Sequence, residues 1–264
     1  MRGVWLGLAL STLICGGRGE AAELAAHSAV YKLSLESSKG DIEVASGTMT
    51  YEMIDACEGW AVHQHLSMLL SNHDGQDVKM MSDYNTFEAK DGLSMRFRMH
   101  QVTDGEAPDD VAGDAKLERL GGKGSVTYTL PEPATKALPP GTMFPTLHTA
   151  TILDAAQQKK KFLTLPVFDG TSADGGQTSS VVMTGWDKAP ALTKLAPLAA
   201  VPSGRVRIAF FDKPNAGTSE AQQPDYEVAM RYWANGVADQ MSMDFGDFVV
   251  SAQIEKLTLG KPGC

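Results

Sequence analysis

The stretch from Asp55 to His65, DACEGWAVHQH, gathers residue types from which chemical sites are often built. A cysteine followed by a His-x-His pair fits a metal site, a piece of catalytic machinery, or a disulfide anchor beside an ordinary strand. In an extended strand, residues two apart share a face. Trp60, Val62, Leu66, Met68 and Leu70 then fall on one side, and Ala61, His63, His65 and Ser67 on the other. His63 and His65 become neighbours on the less apolar face. Zinc held there needs a third ligand, for which His73, His100 or an acidic residue are candidates. The spacing selects none of them. A lone His-x-His is a weak motif, and two polar residues facing solvent or a groove is the simpler reading.

The choice turns on the compartment. The chain opens MRGVWLGLALSTLICGGRGEAA, with a positive Arg2, an apolar run from Val4 to Ile14, and small residues at Gly19 and Ala21. This is the layout of a secretory signal peptide, assigned to residues 1–21. The apolar run falls short of the roughly 20 residues that a spanning helix needs. Cys15 follows Ile14, where a lipid-modified cysteine wants a small residue. The mature chain is expected to be a soluble periplasmic protein. Losing Arg2, Arg18 and Glu20 removes two positive charges and one negative, so the formal net charge moves from −9 to −10. A surface of that sign argues against nucleic acid or anionic headgroups as electrostatic partners.

Of the three cysteines, Cys57 and Cys264 remain after cleavage. An even pair in an oxidising compartment reads first as a disulfide. A terminal residue such as Cys264 otherwise frays, and a bond would tie it down. In the chain-entropy model so long a loop contributes about 5 kcal/mol at most. Free thiols, or a reactive Cys57, are the alternatives. No lysine, arginine or helix N-terminus beside Cys57 in sequence lowers its pKa.

The elements that must position these residues are mostly strands. HSAVYKLSLE sets Ala29, Tyr31, Leu33 and Leu35 on one face, and GTMTYEM aligns Met49, Tyr51 and Met53. LSMRFRMHQ places Leu93, Met95, Phe97 and Met99 opposite Ser94, Arg96, Arg98 and His100. Val126, Tyr128 and Leu130 repeat the pattern, and SSVVMTGW, RVRIAFF, YEVAMRYW and DFVVSAQIEKLTL continue it. Period-2 segments between short Gly-, Asp- and Asn-rich turns predict a largely antiparallel all-β protein. One helix is predicted over 145–161, starting at Pro145, with an apolar face of Leu147, Ala150, Thr151, Ile152 and Ala155. Lys159, Lys160 and Lys161 are read as its C-terminal turn, complementing the helix dipole. The stretch 106–115 reads as an exposed acidic loop or bulge between strands, and 190–204 as an irregular, partly apolar loop. Length favours a single domain over 22–264, with a split near Pro139 as the alternative.

Catalytic signatures are absent: no G-x-S-x-G, H-E-x-x-H, P-loop or G-x-G-x-x-G before a helix. No catalytic, metal-ligating or cofactor-binding residue is therefore assigned, and no cofactor is expected. His148 is read as packing against the sheet through a backbone hydrogen bond rather than as a general base. The paired Asp109 and Asp110 are read as solvated. Of the thirteen methionines, many sit on strand faces, including Met49, Met53, Met68, Met95 and Met99. They fit either an ordinary core or a concave apolar surface that holds lipid.

Five segments carry a family resemblance: HSAVYKLSL, SGTMTYEMIDACEGWAVHQ, LPPGTMFPTLHT, LPVFDG and the terminal cysteine. They resemble the alphaproteobacterial cell-envelope integrity EipB-like family across essentially the whole mature chain. The resemblance implies a periplasmic protein with a strongly bent, spiral or open-barrel-like β-sheet. It also implies the Cys57–Cys264 disulfide and a role in envelope homeostasis. The fold it implies is similar to that of periplasmic lipoprotein carriers. No catalytic residue is carried over. A non-enzymatic protein that binds a lipid, lipoprotein or periplasmic protein on a concave β surface is the expected function. An envelope-acting hydrolase using His63, His65 or His148 is the alternative, and a redox-sensing cysteine pair a third.

Overall fold

The computed structural model describes residues 23–187, 193–211, 223–261 and 263–264. The signal peptide assigned to residues 1–21, with Arg2 and Cys15, lies outside them. Eight strands come first: β1 (His27–Ser38), β2 (Ile42–Asp55), β3 (Gly59–Asn72), β4 (Asp77–Ala89), β5 (Ser94–Thr103), β6 (Asp109–Leu117), β7 (Gly124–Leu130) and β8 (Ala134–Leu138). The helix α1 (Pro145–Gln157) follows. The chain ends with β9 (Phe162–Val167), β10 (Gln177–Asp187), β11 (Ser203–Phe211), β12 (Tyr226–Trp233), β13 (Ala238–Asp244) and β14 (Phe248–Leu259).

All fourteen strands form one sheet, with β8 at one edge, β9 at the other, and β1 hydrogen-bonded to β14 near the middle. Neighbours are antiparallel throughout, as the alternating pattern predicts. Strands from both sides of Pro139 belong to this one sheet, joined through β1 and β14. Bulges between Val30 and Tyr31, Leu35 and Ser37, and Thr184 and Trp186 sharpen its curvature. The curl brings the edges together without closing them. After β8, Met143 bridges in parallel to Val167 on β9. Its N–H donates to the Pro166 carbonyl at 3.0 Å, and its carbonyl accepts from Phe168 N–H at 3.0 Å.

The alternating strands read from the sequence face as expected: Ala29, Tyr31 and Leu33 are buried, as are Met49, Met53, Met95, Phe97, Val126 and Tyr128. Three expectations need correction. The helix stops at Gln157, and the three lysines lie beyond it. Lys159 takes a left-handed φ of 61°. Its N–H donates to the Ala156 carbonyl, and Lys160 N–H to that of Ala155, a Schellman closure that normally uses glycine. The buried face of α1 is His148, Ile152, Leu153, Ala155 and Ala156, one step around from the predicted stripe. Most of the stretch read as an acidic loop or bulge is strand, the first seven residues of β6 (Asp109–Leu117). Its inner residues Val111 and Ala115 are buried, and its aspartates sit outside beside Arg96, Arg98 and His100. Within 190–204, Ala196–Leu198 form a 3-10 turn whose Leu198 is buried against Trp233 and Val237.

Cys57 and Cys264 are joined as a disulfide with Cα atoms 5.5 Å apart. Beyond β14, Gly260 N–H donates to the Ala26 carbonyl at 2.7 Å. The tail thus passes over the end of β1 to the β2–β3 turn, where Cys57 sits at a φ of 67°. Asp55 organises that turn: its carboxylate accepts from Cys57 N–H at 3.0 Å and pairs with Lys90 at 2.5 Å.

Candidate functional site

The concave side of the curl encloses a cavity of about 620 Å³. That size is ordinary for a small-molecule site. Its walls come from both halves of the chain. β2, β3 and β5 supply Met49, Met53, Met68 and Met99, and β12 and β13 supply Met230, Met241 and Met243. Phe210, Tyr226 and Phe245 line one end, with Phe210 stacked on Tyr226 and Phe245 on Phe248. Polar, uncharged groups line the β3–β5 side: Gln64, Ser82, Thr86 and Gln101. Among the described residues, the amides of Gln64 and Gln101 have no hydrogen-bond partner.

Five tyrosines border this space. Tyr31 donates to the Ala238 carbonyl at 2.8 Å, tying β1 to β13. Tyr84 donates to the Asp169 carbonyl, and Tyr232 lies 3.5 Å from the Thr149 hydroxyl on α1. Burial pushes the hydroxyls of Tyr31, Tyr51, Tyr226 and Tyr232 above the ordinary phenol range, so they remain neutral.

One end of the cavity is set by α1, which contributes Pro145, Thr146 and Thr149. Its N-cap residue, Phe144, offers no side-chain acceptor. Glu88 from β4 serves instead. Its carboxylate accepts from Thr146 N–H at 2.7 Å and from Leu147 N–H at 3.0 Å. Only 3% of Glu88 is exposed, and burial raises its pKa to about 7 against the opposing pull of those two N–H groups. Sequence reasoning missed Glu88. An acidic residue in a strand defaults to the solvent face, and the helix it caps starts 57 positions later.

The FDG motif closes the far side of the curl. Phe168 is buried and meets Phe97 edge-on at 5.2 Å and Phe144 at 6.4 Å. Asp169 folds the loop by accepting from Thr171 N–H at 3.0 Å and Thr171 Oγ1 at 2.8 Å. Gly170 has φ +75°, and a Cβ there would lie 2.5 Å from the Phe97 ring, so no larger residue fits.

The histidines separate. His63 and His65 point outward: Nδ1 of His63 meets Asn85 Oδ1 at 2.6 Å, and Nδ1 of His65 meets Asp83 Oδ1 at 2.7 Å. Among the described residues no group of three His, Cys, Asp or Glu side chains gathers there. His100 pairs with Asp110 at 3.1 Å, and His73 lies 3.8 Å from Glu43. His148 is buried, and its partner is not backbone, as the sequence suggested, but Ser179. Nε2 lies 2.8 Å from Ser179 Oγ. Ser179 is fully buried and donates to the Leu165 carbonyl at 3.0 Å. Its oxygen must then accept from His148 Nε2–H, the reverse of what a nucleophile and base require. Burial holds the His148 pKa near 4, so the ring is neutral. The pair pins α1 to β10.

The EipB-like family matches residues 18–261. The cell envelope integrity protein EipB of Brucella abortus (strain 2308) is 28% identical over 255 residues, covering 92% of this chain and 89% of its own. A crystal structure of a beta-barrel-like protein of a domain of unknown function from Brucella abortus superposes with a TM-score of 0.81 at 28% identity. It covers 91% of this chain and 100% of its own. With the open, curled sheet and the match over nearly the whole length, this chain belongs to the EipB-like family.

Proposed function

We propose that the protein is exported through residues 1–21, folds as one unit over 22–264 in the periplasm, and supports envelope integrity by binding, without catalysis, an amphiphilic lipid or lipoprotein acyl chain in its cavity. The cavity carries this reading. Seven methionines and a neutral tyrosine-rich wall form an adaptable apolar surface, while Gln64 and Gln101 offer unspent amide groups to a polar end. The envelope role is supported by the relative named a cell envelope integrity protein. In that oxidising compartment the Cys57–Cys264 bond would hold the tail across the strand ends.

Two cavity-filling substitutions, Met49→Trp and Met241→Trp, test it. Protein taken from its own envelope should release lipid on extraction, and the doubly filled protein should release far less while keeping its fold by circular dichroism. Full complementation of an envelope defect by the filled protein would count against the cavity as the working site.

A further inference from the structure

The outer face of β9–β12 carries a concentration of positive charge that the net charge of −9 conceals. Lys159, Lys160 and Lys161 are all exposed on the connection from α1 to β9. With Trp186 and Arg205 they line a cleft of about 370 Å³. Arg205 also lines a second cleft of about 710 Å³, together with Arg207. Arg205 stands directly opposite Arg231 in the β11–β12 pairing, an arrangement of like charges that weakens a sheet.

Among the described residues, only Arg207 of these cations pairs with a carboxylate, that of Glu227 at 2.9 Å. Arg205 donates instead to the Gln240 side-chain carbonyl, and Arg231 donates to Ser203 at 2.8 Å. Other acidic groups on or beside this face are Glu36, which lines the second cleft, Asp187 opposite Ser203, Asp244 opposite Glu227, and Asp239. Asp239 is only 6% exposed and accepts from the N–H groups of Gln240 and Ile254.

Two further features mark the face. Phe162, immediately after the lysines, is 69% exposed, more than any other large apolar side chain among the described residues. It pairs with Val182, which in turn pairs with Arg207, so the register places ring and guanidinium on one surface. Lys159 occupies the left-handed position that closes α1, where glycine would be less strained. A lysine in place of glycine there adds a third charge to the face.

We propose that this face docks the protein on an anionic lipid surface. The lysines and arginines meet headgroup phosphates and carboxylates, and Phe162 enters the interfacial layer. Clustered cations beside an aromatic ring suit that boundary, where each cation adds attraction and the ring is at home between water and acyl chains. The proposal is independent of what fills the cavity.

Vesicle co-sedimentation of the full chain tests it, using phosphatidylcholine alone and phosphatidylcholine mixed with phosphatidylglycerol. Binding is expected only to the mixed vesicles, falling as salt rises. Replacing Lys159, Lys160 and Lys161 together by Gln should weaken it roughly a hundredfold. Phe162→Ser should weaken it several-fold and leave the salt dependence unchanged. Equal pelleting with neutral vesicles, or wild-type binding by the triple variant with an unchanged melting curve, would overturn the proposal. So would charge-dependent capture of an acidic protein with no vesicle binding.

Discussion

The curl has a filled half and a hollow half, both built from the same alternating strand code. In the filled half, β5–β8 turn Phe97, Leu117, Val126 and Tyr128 inward, and Phe144 and Phe168 drop into the space between them. Aromatic rings meet there edge to face, at angles between 70° and 78°. In the hollow half, β1–β4 face β11–β14; Ile152, Ala155 and Ala156 of α1 pack part of the space between them, and among the described residues methionines and tyrosines border the remaining cavity. Strand pattern therefore decides which residues face inward. Whether the inside becomes core or cavity depends on what the connections insert.

Removing the inserted plug should produce the largest effect. Phe168→Ala is expected to lower stability by about 3–5 kcal/mol in a urea titration, since it deletes a fully buried ring from a packed cluster. Met241→Ala on the cavity wall should cost about 2 kcal/mol or less, because part of that side chain already faces empty space. Equal costs would erase the distinction between the two halves.

The tail staple comes next. Cys57→Ser with Cys264→Ser should lower stability by about 2–4 kcal/mol under oxidising conditions. Under reducing conditions the variant and the wild type should converge.

Two buried groups, Glu88 at the N-terminus of α1 and His148 on its buried face, sharpen the comparison through pH. Glu88 keeps a proton in the folded state up to about pH 7, whereas its ordinary value is 4.5. Its contribution is complete below pH 4.5 and lost as pH rises through 7. His148 stays neutral down to about pH 4 against an ordinary 6.5, so its contribution is complete above 6.5 and lost as pH falls through 4. The two oppose each other and largely offset between 4.5 and 6.5. Glu88→Gln should expose the histidine effect, a loss of about 3 kcal/mol on acidification from 6.5 to 4. His148→Gln should expose the reverse slope, with stability falling from 4.5 to 7. Parallel pH profiles for both variants would refute this pairing.

The smallest effect concerns the helix end. Lys159→Gly should raise the melting midpoint slightly, equivalent to about 1 kcal/mol, by relieving the left-handed strain. An unchanged or lowered midpoint would mean that the lysine makes contacts worth more than its strain.

Much of this was legible in the residues. Tyr31, Met49, Phe97 and Tyr128 announced their inward faces because period-2 burial is a local property. β6 was not legible: its inner face carries small residues such as Gly113 and Ala115, while three aspartates dominate the hydropathy. The end of α1 was misplaced because the lysine run suits a last helical turn as well as the closing turn that it forms. His148 was placed against the sheet, but its serine partner comes from a strand 31 residues away. Glu88 carried no local signal at all.

The sequence by itself determined most of the strands and their faces, the presence of the helix after Pro145 and the family, since each follows from short-range spacing or motif. Only the tertiary structure decided that the methionine faces meet across a void, that a strand carboxylate caps the helix, and that cations gather on one outer face of an acidic protein. Those outcomes depend on which distant segments the curl brings together, and spacing along a chain does not encode separation in space.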